Sequence, residues 1–340
     1  MMKLLRAGLA AVALLAAGAS AQAEDYPELN LRYASGFPTS NYMMDQAQWF
    51  ADQIEKRSGG KIKIRMYYGG TLGKSNEILD LVSKGAVDMG SVVQGYFTSQ
   101  LPFGAMTNSL PMTFFDGEAT MRAAMELDET DPNQLAEYAA NNIKPLVHRY
   151  LPNYKLICTK PIRTVKDLEG TKIRTFGNYM PKMFAALKAT PVNVLPVEMY
   201  EALKRGSMDC SYLTYALFAS YKLHEVAKYV IDVKFGGINA FWLAVNKQKF
   251  DSWPKNVQDL MVKVGREATE FGVQRTKDVE VEGLDICVKG GAQVIKFEEQ
   301  QKLQDTVPDM IDEWIKEMAK VGKEAEAKDY AGKIRQKLGL

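Results

Sequence analysis

Arg174, in the stretch Gly-Thr-Lys-Ile-Arg-Thr-Phe-Gly-Asn from Gly170 to Asn178, is the residue whose type and setting best suit binding chemistry. A guanidinium is a planar fork that donates two parallel hydrogen bonds to one anionic group and stays charged at any relevant pH. A helix ending at Gly170 and a short strand behind it place Arg174 where strand gives way to loop, the end at which open α/β sheets gather ligands. The opposing assignment is a strand-surface arginine paired with a nearby carboxylate, an arrangement of little energetic weight.

Catalytic groups are scarce by comparison. The chain has two histidines, His148 and His224, and neither has a second ligand-type residue at a zinc spacing. No GxSxG, HExxH, GxxxxGK[ST] or GxGxxG motif occurs. A Ser or Cys nucleophile needs a positioned base, and each histidine reads as a structural residue. Paired carboxylates, the tools of an exported hydrolase or lyase, stay open as an alternative, because 41 acidic residues always include candidates. Neither an enzyme nor a metal or cofactor is expected. Cys158, Cys210 and Cys287 are too few and too scattered for a disulfide framework or a zinc motif. They fit either one pair in an oxidising compartment or three buried thiols.

The elements around Arg174 alternate. "NLRYASGF" alternates apolar and polar residues as a strand, then breaks at Gly36 and Pro38. From Asn41 the apolar positions Met43, Ala47, Phe50, Ala51 and Ile54 recur at helical spacing until "SGG" at Ser58 to Gly60. "KIKIRMYY" is a second strand, a helix follows near Ser75 to Lys84, and a strand near Val87 to Val93. After a helical stretch near Asp116 to Asn142 the pattern restarts, with strands at "KPLVHRY", "YKLICTK", "TKIRTF", "PVNVLP", "YVIDVKF" and "AFWLAVN". Beyond Pro254 the pattern is helical, from about Val257 to Asp285 and Glu298 to Lys337 with a break near Pro308. Two α/β units in tandem follow from this order, and the length also favours two lobes.

Lys3 and Arg6, the apolar run Ala7 to Ala19 and Ala21-Gln22-Ala23 predict a signal peptide over residues 1–23. The run is shorter than the ~20 apolar residues of a membrane span. Losing Lys3 and Arg6 takes the 43 basic residues to 41, level with the 41 acidic ones. Such a balance gives no steering field for nucleic acid or anionic lipid.

The ordered segments "CTKPIRTVKDLEGTKIR", "VEMYEALKRGSMD" and "YKLHEVAKYV" resemble the solute-binding proteins of TRAP (tripartite ATP-independent periplasmic) transporters. "FADQIEKRSGGKIKIRMYYGGTLGKSNEILDLVSKGAVDMG" is similar to the first-lobe pattern of the same family. The resemblance implies an α/β, two-lobed periplasmic binding protein fold with an interlobe ligand cleft, crossing strands and long C-terminal helices. It implies lobe I over residues 24–152 with a returning segment near 240–280, and lobe II over 153–239 with helices 281–340. It further implies a periplasmic protein without catalysis that closes over one organic acid and hands it to small and large membrane permease subunits. A sensor module for a membrane receptor would share that chemistry.

In that family the arginine of the G-x-K-x-R segment clamps the acid group, and here that position is Arg174. Two positions depart from the family pattern. Where many members read Asp-Gly-x-Glu-Asn-Pro, this chain has "DCSYLT", so Leu213 stands for the ligand-contacting Asn and Tyr212 precedes it. Where many carry a second arginine, this chain offers Tyr154. A second carboxylate would then be costly to bury, which points to a ligand with one anionic group, a monocarboxylate or a small sulfonate such as isethionate. Further lining candidates come from loops at strand ends: Phe37, Asn41 and Tyr42, then Gln94 and Tyr96, then Asn239 to Trp242. Aromatic residues among them serve as core at least as often as ligand wall.

Overall fold

A computed structural model describes residues 25–340, so the predicted signal peptide lies outside the described residues. The strands of the first half are β1 (Leu29–Ala34), β2 (Ile62–Tyr67), β3 (Met89–Val92), β4 (Ile143–Leu151) and β5 (Lys155–Cys158). Those of the second half are β6 (Lys172–Thr175), β7 (Thr190–Asn193), β8 (Cys210–Leu213), β9 (Tyr229–Asp232), β10 (Ile238–Asn246) and β11 (Gln293–Lys296). They form two mixed sheets, one ordered β2-β1-β3-β10-β4 and the other β11-β9-β5-β8-β6-β7. The chain passes between sheets at β4 to β5 and returns at β9 to β10, so two strands cross and the cleft lies at the crossing. This is the two-lobed α/β architecture with long C-terminal helices.

Local sequence explains the elements. In β2 the alternation of "IKIRMY" leaves one face in water, as suits a sheet edge, whereas every residue of β10 is buried, as suits a strand covered on both sides. The helix Met44–Arg57 buries Met44, Ala47, Phe50, Ala51 and Ile54 against the first sheet. The stretch from Asp116 is two helices, Gly117–Thr130 and Pro132–Ala140. They part at Asp131, whose carboxylate accepts from the amides of Asn133 and Gln134 while Pro132 takes the first helical position. The C-terminal stretch breaks at Gly322 as well as near Pro308, giving Gln300–Thr306, Met310–Lys320 and Glu324–Leu338.

The helix Lys255–Lys289 is a single rod of 35 residues that packs on β4 and on the helix Tyr215–Ser220, touching both sheets' layers. Gly283 permits the second contact, since a Cβ there would stand 2.4 Å from the Ala216 Cα. The C-terminal helices also reach both halves: Lys182 pairs with Glu317, and the Trp314 indole donates to the Pro102 carbonyl at 3.0 Å. Strands β8 and β11 were not among the expected strands; β8 is central in its sheet and too short to show a period. Cys158 and Cys210 are directly opposed on β5 and β8 and form a disulfide, while Cys287 is buried and free. Of the two cysteine expectations, the single pair is the observed one.

Candidate functional site

Arg174 is the third residue of β6, opposite Val192 of β7, and is 1% exposed. Its Nε donates to the Val194 carbonyl at 3.1 Å and Nη1 to the Tyr212 carbonyl at 3.4 Å. The guanidinium lies 4.7 Å over the Phe176 ring, and Nη2 reaches the Tyr96 hydroxyl of the other lobe at 3.4 Å. Among the described residues no carboxylate pairs with it.

Around this group residues of both lobes line a small, partly open cavity. From the second sheet's side come Tyr154, Arg174, Phe176, Pro196, Leu213 and Leu217. From the first come Phe37, Met43, Val93, Tyr96, Asn108 and Phe241. No Asp or Glu contributes to the wall. Burial pushes the phenols of Tyr96, Tyr154 and Tyr221 up while Arg174 pulls each of them back, so all three are neutral donors at neutral pH. The lobes touch beside the cavity. Asn41 donates to the Tyr221 hydroxyl at 2.9 Å, and Asn178 to the Thr98 hydroxyl at 2.7 Å. Gly177, at φ +62°, passes so close to the Gly95 carbonyl that a Cβ would stand 2.8 Å from it.

Of the residues singled out from sequence, Arg174, Tyr154, Leu213 and Phe37 meet in the cavity wall, with Tyr96 beside them. Tyr212 stands behind Tyr154, its ring stacked at 4.4 Å, and offers its carbonyl to Arg174. Asn41 holds Tyr221, which does line the wall. Tyr42 is buried behind Met43, 5.0 Å beneath the Arg149 guanidinium. Gln94 and Asn239 are both wholly buried, flanked by wall residues, and none of their side-chain amide atoms has a partner. Trp242 is not in the wall: it belongs to the core on the sheet's opposite face, edge-on to Tyr138 at 5.2 Å. Alternation along β10 explains this, because Phe241 faces the cavity and its neighbour must face away.

Sequence reasoning missed Phe176, Asn108, Tyr221 and Arg149. Phe176 had a signal, an aromatic two residues after a strand arginine and on the same face. Asn108 had none: it lies far in sequence from the strands it ties, its amide donating to the Asn239 and Ala240 carbonyls and accepting from Gly95.

The histidines lie elsewhere. His148 Nε2 is 3.3 Å from Asp128 Oδ2, both buried. Were this an ion pair, the imidazole would be raised and the carboxyl lowered. Burial does the reverse, pushing Asp128 up to about 8 and His148 down to about 3, so the pair is neutral with the proton on the carboxyl at pH 7. Among the described residues no cluster of three or more His, Cys, Asp or Glu could hold a metal.

Comparison with known proteins adds a family. The model of DctP, described as bacterial extracellular solute-binding protein family 7, matches residues 33–320. A solute-binding protein of Albidiferax ferrireducens is 26% identical over 292 residues, covering 84% of this chain and 80% of that one. Among solved structures, a TRAP solute-binding protein from Rhodoferax ferrireducens with copurified benzoate superposes with a TM-score of 0.82 at 22% identity, covering 92% of this chain and 98% of that one. DctP7 of Bordetella pertussis, an extracytoplasmic solute receptor binding pyroglutamic acid, gives 0.79 at 22% identity, covering 90% and 99%.

Proposed function

We propose a function from one premise: the chain belongs to the DctP family, family 7 of the bacterial extracellular solute-binding proteins, which are periplasmic TRAP-type carriers and not enzymes. On that premise it captures a small organic anion with one acid group, a monocarboxylate or a small sulfonate. Arg174 is the anchor. The observation that carries this reading is a guanidinium 1% exposed, lining an interlobe cavity, with no acidic partner among the described residues. A buried unpaired cation is costly, and an incoming carboxylate or sulfonate offsets that cost with charge-assisted hydrogen bonds.

The wall supports a compact ligand held by one polar end. Tyr154 and Leu213 supply no second cation, and the remaining wall is largely aromatic and aliphatic. The solved relatives bind benzoate and pyroglutamic acid, each with one carboxylate.

Binding works by hinge closure at the crossing strands. Lobe I (24–152 with 240–280) and lobe II (153–239 with 281–340) approach, and the ligand favours the closed state because it touches both only there. The closed surface then hands the anion to small and large permease subunits. Calorimetry against a panel of carboxylates and sulfonates, with Arg174→Ala alongside, tests the reading. A thermal-shift screen finds the ligand first, since binding stabilises the native state by mass action. Undiminished affinity in Arg174→Ala refutes the anchor.

A further inference from the structure

A second buried cation has no role in the anchor just described. Arg149, on β4, is 1% exposed. Its guanidinium rests over Tyr42 and makes one long hydrogen bond, Nη1 to Gln46 Oε1 at 3.4 Å. Gln46 cannot turn to serve it better, because its amide nitrogen is committed to the carbonyls of His148 and Ala268. Nε and Nη2 of Arg149 have no partner.

Two more buried donors stand with it. The Tyr42 and Thr214 hydroxyls face each other without a well-formed hydrogen bond, and Thr214 also faces the Glu280 carboxylate. Burial raises the Tyr42 phenol, and Arg149 and Thr214 both pull against that rise, which places Tyr42 between them. The Glu280 carboxylate also acts on this phenol; its oxygens accept from the amides of Tyr215 and Ala216 at 3.0 and 3.1 Å, and it faces the Thr214 hydroxyl as well. Arg149 Nε and Nη2 and the Tyr42 hydroxyl therefore sit together without a well-formed hydrogen bond among the described residues.

None of the three lines the cavity itself, but each is a chain or ladder neighbour of a wall residue. Tyr42 precedes Met43, and Thr214 follows Leu213. Arg149 is opposite Phe241 across the β4–β10 ladder and shares its strand face with Leu151, two residues on; Phe241 and Leu151 both line the cavity. Tyr154, in the wall, feels both the Arg174 charge and the Tyr42 phenol.

We propose that Arg149, Tyr42 and Thr214 form a second ligand subsite, which takes an oxygen acceptor at the far end of the acid held by Arg174. The proposal rests on the reading of Arg174 as anchor. It narrows the ligand to a short oxo- or hydroxy-acid, in preference to a plain apolar acid. Tyr42 and Arg149 belong to the first sheet's lobe and Thr214 to the second, so an oxygen seated among them bridges the lobes and favours closure.

The test is calorimetry on the mature chain with short straight-chain acids in matched pairs, such as pentanoate and its oxo analogue levulinate. Wild type is expected to bind the oxygenated member about tenfold tighter, the worth of one charge-assisted hydrogen bond. In Arg149→Gln that ratio falls to about one, and in Arg174→Gln both members weaken together while the ratio survives. Should Arg149→Gln fail to fold by circular dichroism, Tyr42→Phe and Thr214→Val are read instead, each lowering the ratio. Equal affinities within every wild-type pair, or a ratio that persists in Arg149→Gln, Tyr42→Phe and Thr214→Val, overturn the subsite while leaving the anchor intact. Wild-type affinities in Arg174→Gln overturn the anchor, and the subsite with it.

Discussion

Arg174 and Arg149 are equally buried and, among the described residues, neither is paired with a carboxylate, but their supports differ. Arg174 is fixed by two backbone carbonyls and a ring, on a strand whose neighbour β8 is tied to β5 by the disulfide. Arg149 leans on one ring and one side-chain amide. Unpartnered polar atoms occur on both sides, at Gln94 and Tyr42 on the first lobe and at Thr175 and Tyr212 on the second, so the contrast lies in how the two guanidinium groups are held. The second lobe presents a pre-organised anchor in Arg174, whereas Arg149 on the first is held by weaker contacts. Pre-organisation matters because ordering done before binding is not charged against affinity.

The largest test of that contrast removes the second lobe's tie. Cys158→Ala with Cys210→Ala deletes a cross-link spanning 52 residues, and chain entropy puts the loss at up to about 4 kcal/mol. Denaturant midpoints should fall accordingly. Ligand affinity should fall too, because β8 supplies the Tyr212 carbonyl that orients Arg174. Unchanged affinity in the folded double variant would mean that the anchor needs no support from the sheet.

Arg174→Ala comes next. A desolvated acid that loses its cation forfeits about 3 kcal/mol, roughly a hundredfold in affinity. The ligand-free protein should lose only a little of its thermal midpoint, because relief of an unpaired buried charge offsets the donors lost by the Val194 and Tyr212 carbonyls. A large fall in midpoint would recast Arg174 as a structural residue.

These tests turn on residues of unequal legibility in sequence. Arg174 was readable because its strand is announced by Gly170 and its position matches a family segment. Arg149 was not, since "VHRYL" names an arginine in a strand but says nothing of a helix lying over it. The same limit applies to β8, a four-residue strand whose character comes from β5 and β6 on either side. It applies again to Trp242, whose face is set by pleat and by a bulge between Asn239 and Phe241. Local pattern reports period and stops; it does not report which face a distant helix covers. The crossing of β4 and β10 was implied by the family resemblance, and no period in the sequence encodes it.

A smaller effect probes the first lobe's buried polar groups through pH. Asp128 accepts from Gln134 and Tyr138, which joins it to Tyr330 of the last helix through Gln134. Its folded pKa of about 8 lies above the ordinary 3.8, so the native state holds a proton the unfolded chain has lost. That stability is full below pH 3.8 and is lost as pH rises through 8. Glu137, raised by burial to about 7, acts in the same direction. His148 acts oppositely: depressed to about 3, it lends stability that is full above its ordinary 6.5 and fades as pH falls toward 3. Between pH 4 and 6.5 the two tendencies oppose; above 6.5 the carboxyls act alone. The thermal midpoint should therefore fall from pH 6.5 to 9, and Asp128→Asn should flatten that fall. An identical slope in the variant would place the proton elsewhere.

The smallest effect separates a waiting polar group from a misplaced one. Gln94 is wholly buried with neither amide atom partnered, at a cost of about 1–3 kcal/mol for unsatisfied groups. Gln94→Leu keeps similar bulk and removes that cost, so the ligand-free protein should gain about 1 kcal/mol, read as a higher denaturant midpoint. If the amide serves the ligand, affinity should drop at the same time, by less than tenfold because a neutral hydrogen bond is worth about 1 kcal/mol. Stability gained together with affinity lost is the signature of a group kept unpaired for binding. Stability lost instead would show that Gln94 is satisfied by its own lobe, and the contrast between the lobes would then rest on Arg149 alone.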